Sequence, residues 1–169
     1  LSDLIPTNDG GYLLAGDSDS NVGGEKTENT NGGYDLWFIK TNSTGDIQWQ
    51  NTVGGSDDEY RPYGFEKAGG GYVFASETLS NISGDKTENS NSNDIWLVEL
   101  DTNGNVIADK TYGTNSTEYP EQIIQTSDGN FVIVSSVDDL SGDNTEAPNG
   151  FTDYWLFKVD KNTLSVDVI

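Results

Sequence analysis

Three evenly spaced tryptophans constrain this chain more than any other feature. Asp35-Leu36-Trp37 returns as Asp94-Ile95-Trp96 and again as Asp153-Tyr154-Trp155, with 59 residues from each tryptophan to the next. A period of that order held over three copies marks a solenoid, a propeller or an array of one supersecondary unit. Other phrases keep the same register. Gly10-Gly11-Tyr12 matches Gly70-Gly71-Tyr72 and Gly129-Asn130-Phe131. Gly24-Glu25-Lys26-Thr27-Glu28 matches Gly84-Asp85-Lys86-Thr87-Glu88 and Gly142-Asp143-Asn144-Thr145-Glu146. Downstream, Gly45 matches Gly104, and Thr52-Val53-Gly54 matches Thr111-Tyr112-Gly113. Residues 1–169 are therefore expected to form a single repeat domain, with repeats at approximately 1–55, 56–114 and 115–169.

The middle repeat is the template. Tyr60 to Lys67 carries Pro62, which removes a ladder donor and suits an edge strand. Gly69-Gly70-Gly71 supplies the positive φ of a tight hairpin. Tyr72-Val73-Phe74-Ala75 and Ile95-Trp96-Leu97-Val98-Glu99-Leu100 are continuous β-favouring runs of the kind buried on both faces. Leu79 through Asn93 is rich in Ser, Asn, Gly and Asp and predicts a long loop, whereas Asp101 to Asn105 is turn chemistry. Val106 to Tyr112 predicts a fourth, more polar strand. No window holds a 3.6-residue apolar period, so helices are expected to be absent or short.

Four antiparallel strands, A to D, with apolar B and C strands that no single unit can cover, describe a β-propeller blade. The fold class expected is all-β, a partial propeller of about three tandem blades. A β-sandwich is the rival, but it predicts alternating strands and no strict period. Propellers close with about four to eight blades. Leu1 aligns with Arg61 inside strand A, and Ile169 aligns with Lys110 inside strand D. The expectation is a slice of a mature protein whose ring is completed by further blades of a longer chain or by association, or a stack that is not a ring.

The chain carries 8 Lys and Arg against 29 Asp and Glu, a formal net charge of −21. Such a surface repels phosphate backbones and anionic lipid, so no nucleic-acid partner is expected. No apolar run is long enough for a spanning helix, so no membrane insertion is expected either. With no Cys and no His, thiolate and Ser-His-Asp chemistry are excluded within this chain.

Asp9-Gly10-Gly11-Tyr12-Leu13-Leu14-Ala15-Gly16, Thr52-Val53-Gly54-Gly55-Ser56, Ser83-Gly84-Asp85-Lys86-Thr87-Glu88 and Asp94-Ile95-Trp96-Leu97-Val98 resemble the repeats of secreted β-propeller-like proteins of Bacteroidota. That resemblance covers nearly the whole chain. It implies export by the type IX secretion route and an extracellular, cell-surface location, and it implies no activity. Kelch repeats share a Gly-Gly-aromatic phrase and a later Trp, but their period is nearer fifty.

In an A-B-C-D meander, the B–C loop and the loop leading to the next A strand emerge at one end. That end is expected to gather Asp17, Asp19, Glu25 and Glu28 with Asp57, Asp58 and Glu59 into an acidic face. Asp17, Asp19, Asn21 and Glu28 stand at positions 1, 3, 5 and 12, the spacing of oxygens that wrap calcium. Position 6 is Val22 rather than Gly, and the second repeat offers Glu77, Leu79, Asn81 and Glu88, so the set recurs only in part. Calcium is the one cofactor the pattern could hold; hydrogen-bonded Asx turns account for the same residues.

Glu28, Glu88 and Glu146 are expected to close loops through a backbone donor or Lys26 and Lys86, and Asp35, Asp94 and Asp153 to cap the turn before strand C. The three repeated tryptophans belong to the core between blades. Trp49, whose counterpart is Ala108, could stack a sugar or pack on a neighbouring unit. Paired carboxylates could serve a glycosidase, but none sits in a phrase tied to a reaction. Gly54-Gly55-Ser56 lacks the following Lys or helix of a phosphate cradle. These features point to a non-catalytic secreted or cell-surface segment serving adhesion, scaffolding or interaction with proteins or glycans. A glycan-binding propeller assisted by calcium is the alternative, and a carboxylate-based glycoside hydrolase the third reading. No catalytic, cofactor-binding or metal residue is assigned.

Overall fold

A computed structural model describes residues 1–145 and 147–167. Within them, twelve strands form three four-stranded antiparallel meanders and there is no helix, hence none that could cross a membrane. The first sheet is β1 (Asp3–Pro6), β2 (Tyr12–Ser18), β3 (Asp35–Thr41) and β4 (Ile47–Val53). The second is β5 (Glu59–Glu66), β6 (Tyr72–Thr78), β7 (Asp94–Leu100) and β8 (Val106–Tyr112). The third is β9 (Tyr119–Gln125), β10 (Phe131–Val137), β11 (Asp153–Val159) and β12 (Val166–Asp167). Each sheet keeps its strands in chain order.

The hairpin between first and second strands repeats closely. Lys67 N–H donates to Gly71 O at 2.9 Å, as Thr7 does to Gly11 and Thr126 to Asn130. Gly10, Gly70 and Gly129 sit at φ of 83°, 88° and 87°, where a side chain would be strained. Pro62 lies on the edge strand β5, at a bulge where the pairing with β6 skips from Tyr60 to Tyr63 and Arg61 adopts φ 52°.

Burial follows from the period-2 alternation of strands. In the middle sheet every residue of β6 and β7 is buried. Tyr72, Phe74, Trp96, Val98 and Leu100 pack with Leu13, Ala15, Leu36, Phe38 and Val53 of the first sheet. The alternate residues Val73, Ala75, Ile95 and Leu97, with Tyr112, pack with Ile133, Trp155, Phe157 and Val159 of the third. The continuous apolar runs are therefore double-faced strands. In the third sheet β10 alternates buried and half-buried, because one of its faces has no sheet against it.

The backbones come together along the first strands. β5 lies against β1 and β2, and β9 against β5 and β6, with no comparable approach between β4 and β8. The sheets thus converge at their first strands and spread toward their fourth.

Candidate functional site

The second-to-third-strand loops and the loops between sheets meet at one end, and there they tie each sheet to the next. Gly54 N–H donates to Asp85 Oδ2 at 3.1 Å while Asp85 N–H donates back to Gly54 O at 3.0 Å. Gly113 and Asp143 repeat the exchange at 3.1 and 3.0 Å. Ser83 Oγ accepts from Ser56 N–H at 2.8 Å, as Ser141 Oγ does from Asn115 N–H at 2.9 Å. The same latch is therefore built once at each of the two joints.

Beneath each latch lies a buried carboxyl pair. Asp35 and Glu59 are both fully buried, with Asp35 Oδ1 and Glu59 Oε2 turned toward the same side of Gly54 and Asp35 Oδ1 left without a hydrogen-bond donor. Burial pushes the Glu59 carboxyl up to about 7, against the pull of donors from Gly55 N–H at 2.7 Å and Thr78 Oγ1 at 2.8 Å. Burial also raises Asp35, so the pair holds a proton near neutrality. In the second joint Glu118 is fully buried and likewise pushed up to about 7 by burial, with Thr114 donating from N–H and hydroxyl. Asp94 is raised by burial beside it.

The Oδ2 oxygen of each aspartate does what the sequence led us to expect. Asp35, Asp94 and Asp153 accept from the backbone N–H of Asn31, Asn91 and Asn149 and so cap the turn before the third strand. Lys26 and Lys86 are buried close by, their ammonium groups lowered by burial and held up in part by Asp35 and by Asp109. Lys26 Nζ donates to Glu28 O at 2.8 Å, and Lys86 Nζ to Thr111 Oγ1.

Glu28 accepts from Thr52 N–H at 2.7 Å and Glu88 from Thr111 N–H at 3.0 Å, so each closes its loop onto the fourth strand. The ion-pair partner of Glu88 is Lys110 at 2.6 Å rather than Lys86. Glu146 lies outside the described residues. Of the calcium-spaced set, Asp17 is the penultimate residue of β2 and accepts from Arg61 N–H at 3.4 Å, while Asp19 and Asn21 are exposed and Glu28 turns to β4. Among the described residues no three acidic side chains converge on a point that could hold a metal ion. Asp58 caps Tyr34 N–H at 2.8 Å; of the seven acids expected at that end, Asp19, Glu25, Glu28 and Asp57 are exposed, Asp17 and Asp58 half-buried and Glu59 buried.

Trp96 and Trp155 are buried between sheets, whereas Trp37 is half-buried, because it faces away from the second sheet. Trp49 packs on the neighbouring unit. Its ring lies 5.9 Å from that of Tyr72 and within 3 Å of the place a Cβ on Gly104 would occupy, and its Nε1–H donates to Thr102 O at 3.1 Å.

Two features escaped the sequence reading. The buried pair is signalled by Glu59-Tyr60 recurring as Glu118-Tyr119, 59 residues on. The other is an ion pair at the opposite end: Lys40 meets Asp9 at 2.8 Å and Lys158 meets Asp128 at 2.6 Å, but the middle unit pairs Glu99 with Lys67 at 2.5 Å. Glu99 stands where Lys40 and Lys158 do, whereas Lys67 stands where Thr7 and Thr126 do. The middle unit thus keeps an ion pair there, with the sign reversed on the third strand and the partner two residues earlier in the hairpin.

No family model matches the chain, and no curated protein matches it. Among solved structures it is similar to a protein of unknown function from Bacteroides caccae, at 10% identity and a TM-score of 0.46, with 98% of this chain covered. The chain spans 58% of that protein's length.

Proposed function

We propose that the three sheets are consecutive blades of a β-propeller and that the chain is a non-catalytic, secreted or cell-surface module that spaces and presents interaction surfaces. The observation that carries this reading is where the repeated polar residues go. Glu28 and Glu88, Asp35 and Asp94, Glu59 and Glu118, and Asp85 and Asp143 are committed to loop closure or to the joints between sheets. Side chains used in this way stiffen an array rather than meet a substrate. The convergence of the sheets at their first strands supports the propeller geometry. Location outside the cell rests on the resemblance of the repeats, and the charge of −21 suits such a surface.

The test is a panel of immobilised polysaccharides and whole bacterial cells probed with the labelled chain, with soluble sugar release measured in the same wells. Cell binding without sugar release is expected. Release of reducing sugar that is lost in an Asp57→Asn, Asp58→Asn variant of unchanged melting temperature would overturn the non-catalytic reading. Polysaccharide binding abolished by calcium chelation would replace scaffolding with glycan recognition.

A further inference from the structure

The outer faces of the first and third sheets carry the residues equivalent to those that the chain buries between its sheets. On the first sheet, Leu4, Leu14 and Ile39 form one row across β1, β2 and β3, flanked by Trp37 and Tyr12. Leu14, Trp37 and Ile39 hold the places of Phe74, Trp96 and Val98, all fully buried against the sheet before them. On the third sheet, Tyr154 and Leu156 hold the places of Ile95 and Leu97, fully buried against the sheet after them. Here Tyr154 is 87% exposed, Leu156 56% and the neighbouring Ile124 51%. Val132 and Val134 lie between them across the sheet. Apolar residues at such density on one face are what a monomer's surface avoids.

We propose that copies of this chain associate head to tail, the outer face of the third sheet of one copy seated on the outer face of the first sheet of the next. The occupant follows from the repeat. Within the chain, Phe38 of the first sheet meets Phe74 of the second with ring centroids 4.5 Å apart. Between copies, Leu156 takes the place of Phe38 and Leu14 that of Phe74. The hollow of about 260 Å³ lined by Leu1, Leu14, Gly16, Trp37 and Ile39 is the seat on the receiving side. A second copy carries the matching face by construction. The contact is heterologous, so it either closes into a ring or grows into a filament. Two copies supply six sheets, inside the range in which propellers close. The pairing follows from how sheets one to three stack and does not depend on the adhesion reading.

The chain's charge of −21 opposes association, so added salt should strengthen it. Light scattering on the eluting chain, at low and high salt, reads the mass. A mass of two chains is expected at high salt. Tyr154→Asp alone and Leu14→Asp alone should each weaken association more than about tenfold. An equimolar mixture of the two variants should recover a dimer, since one intact face of each kind remains. Circular dichroism and melting temperature report whether each variant is folded, and Ile124→Glu at the rim replaces any variant that is not. A wild-type monomer at every salt concentration overturns the proposal, as does a dimer indifferent to Tyr154→Asp, which would place the contact elsewhere.

Discussion

The proton held at each joint makes the stability of this protein fall as pH rises, in the same sense as the self-repulsion of its charge of −21. Glu59 and Glu118 are raised from 4.5 to about 7 by burial, so between those values the folded chain binds more protons than the unfolded one. Stability is then full below the unfolded value and declines as pH rises through about 7. Asp35, Asp94, Asp85 and Glu77, all raised by burial, act in the same sense. At about 1.4 kcal/mol per pH unit, each glutamate accounts for up to about 3 kcal/mol. Relaxation around the ionised pair reduces this, and the two sites together come to roughly 4 kcal/mol. With a urea slope of about 2 kcal/mol per molar, the unfolding midpoint should fall by roughly 2 M from pH 5 to pH 8.

Glu59→Gln presents the shape and hydrogen-bonding pattern of the protonated acid without its titration. It should remove about half of that fall and leave the variant more stable than wild type at pH 8. Urea titrations followed by tryptophan fluorescence at closely spaced pH values measure both. A wild-type midpoint that is flat or rising from pH 5 to 8, or a Glu59→Gln variant as pH-sensitive as wild type, would refute a proton held on buried Glu59 near neutrality.

Gly54→Ala should destabilise by at least about 2 kcal/mol by thermal unfolding, since overpacking in a well-filled site has that order of cost. The added Cβ would stand 2.2 Å from Asp35 Oδ1 and 2.6 Å from Glu59 Oε2. A double-mutant cycle on Lys67 and Glu99 should give a coupling of about 1 kcal/mol, and exchanging the two residues should restore most of what either single substitution loses. Acid should weaken the corresponding pairs in the outer units only below the usual carboxylate range. Lys40 and Thr7 hold Asp9 well below that range, and Lys158 and Thr126 do the same for Asp128.

Much of the architecture was legible because strands announce themselves locally. The Gly column at 10, 70 and 129, the β-branched and aromatic runs, and the Asp before each third strand are features of neighbours in the chain. They predict hairpins, strands and caps without knowledge of what lies across the sheet. Continuous apolar runs at β6 and β7 also implied two covered faces, which the middle sheet has. Trp49 illustrates the limit: its sequence context allowed a sugar platform or a packing contact, and only the position of Tyr72 and Gly104 on the next unit decided between them.

By itself, the sequence determined the period, the strand count in each unit, the turns and the sign of the surface. Tertiary structure decided which acids are exposed and which are buried. Asp57 and Glu59 are two residues apart, yet one faces water and the other is sealed under Gly54 with a proton near neutrality. That difference arises because a carboxyl's charge state depends on the solvent and partners that surround it, and at each joint those partners come from residues tens of positions away or from the next sheet.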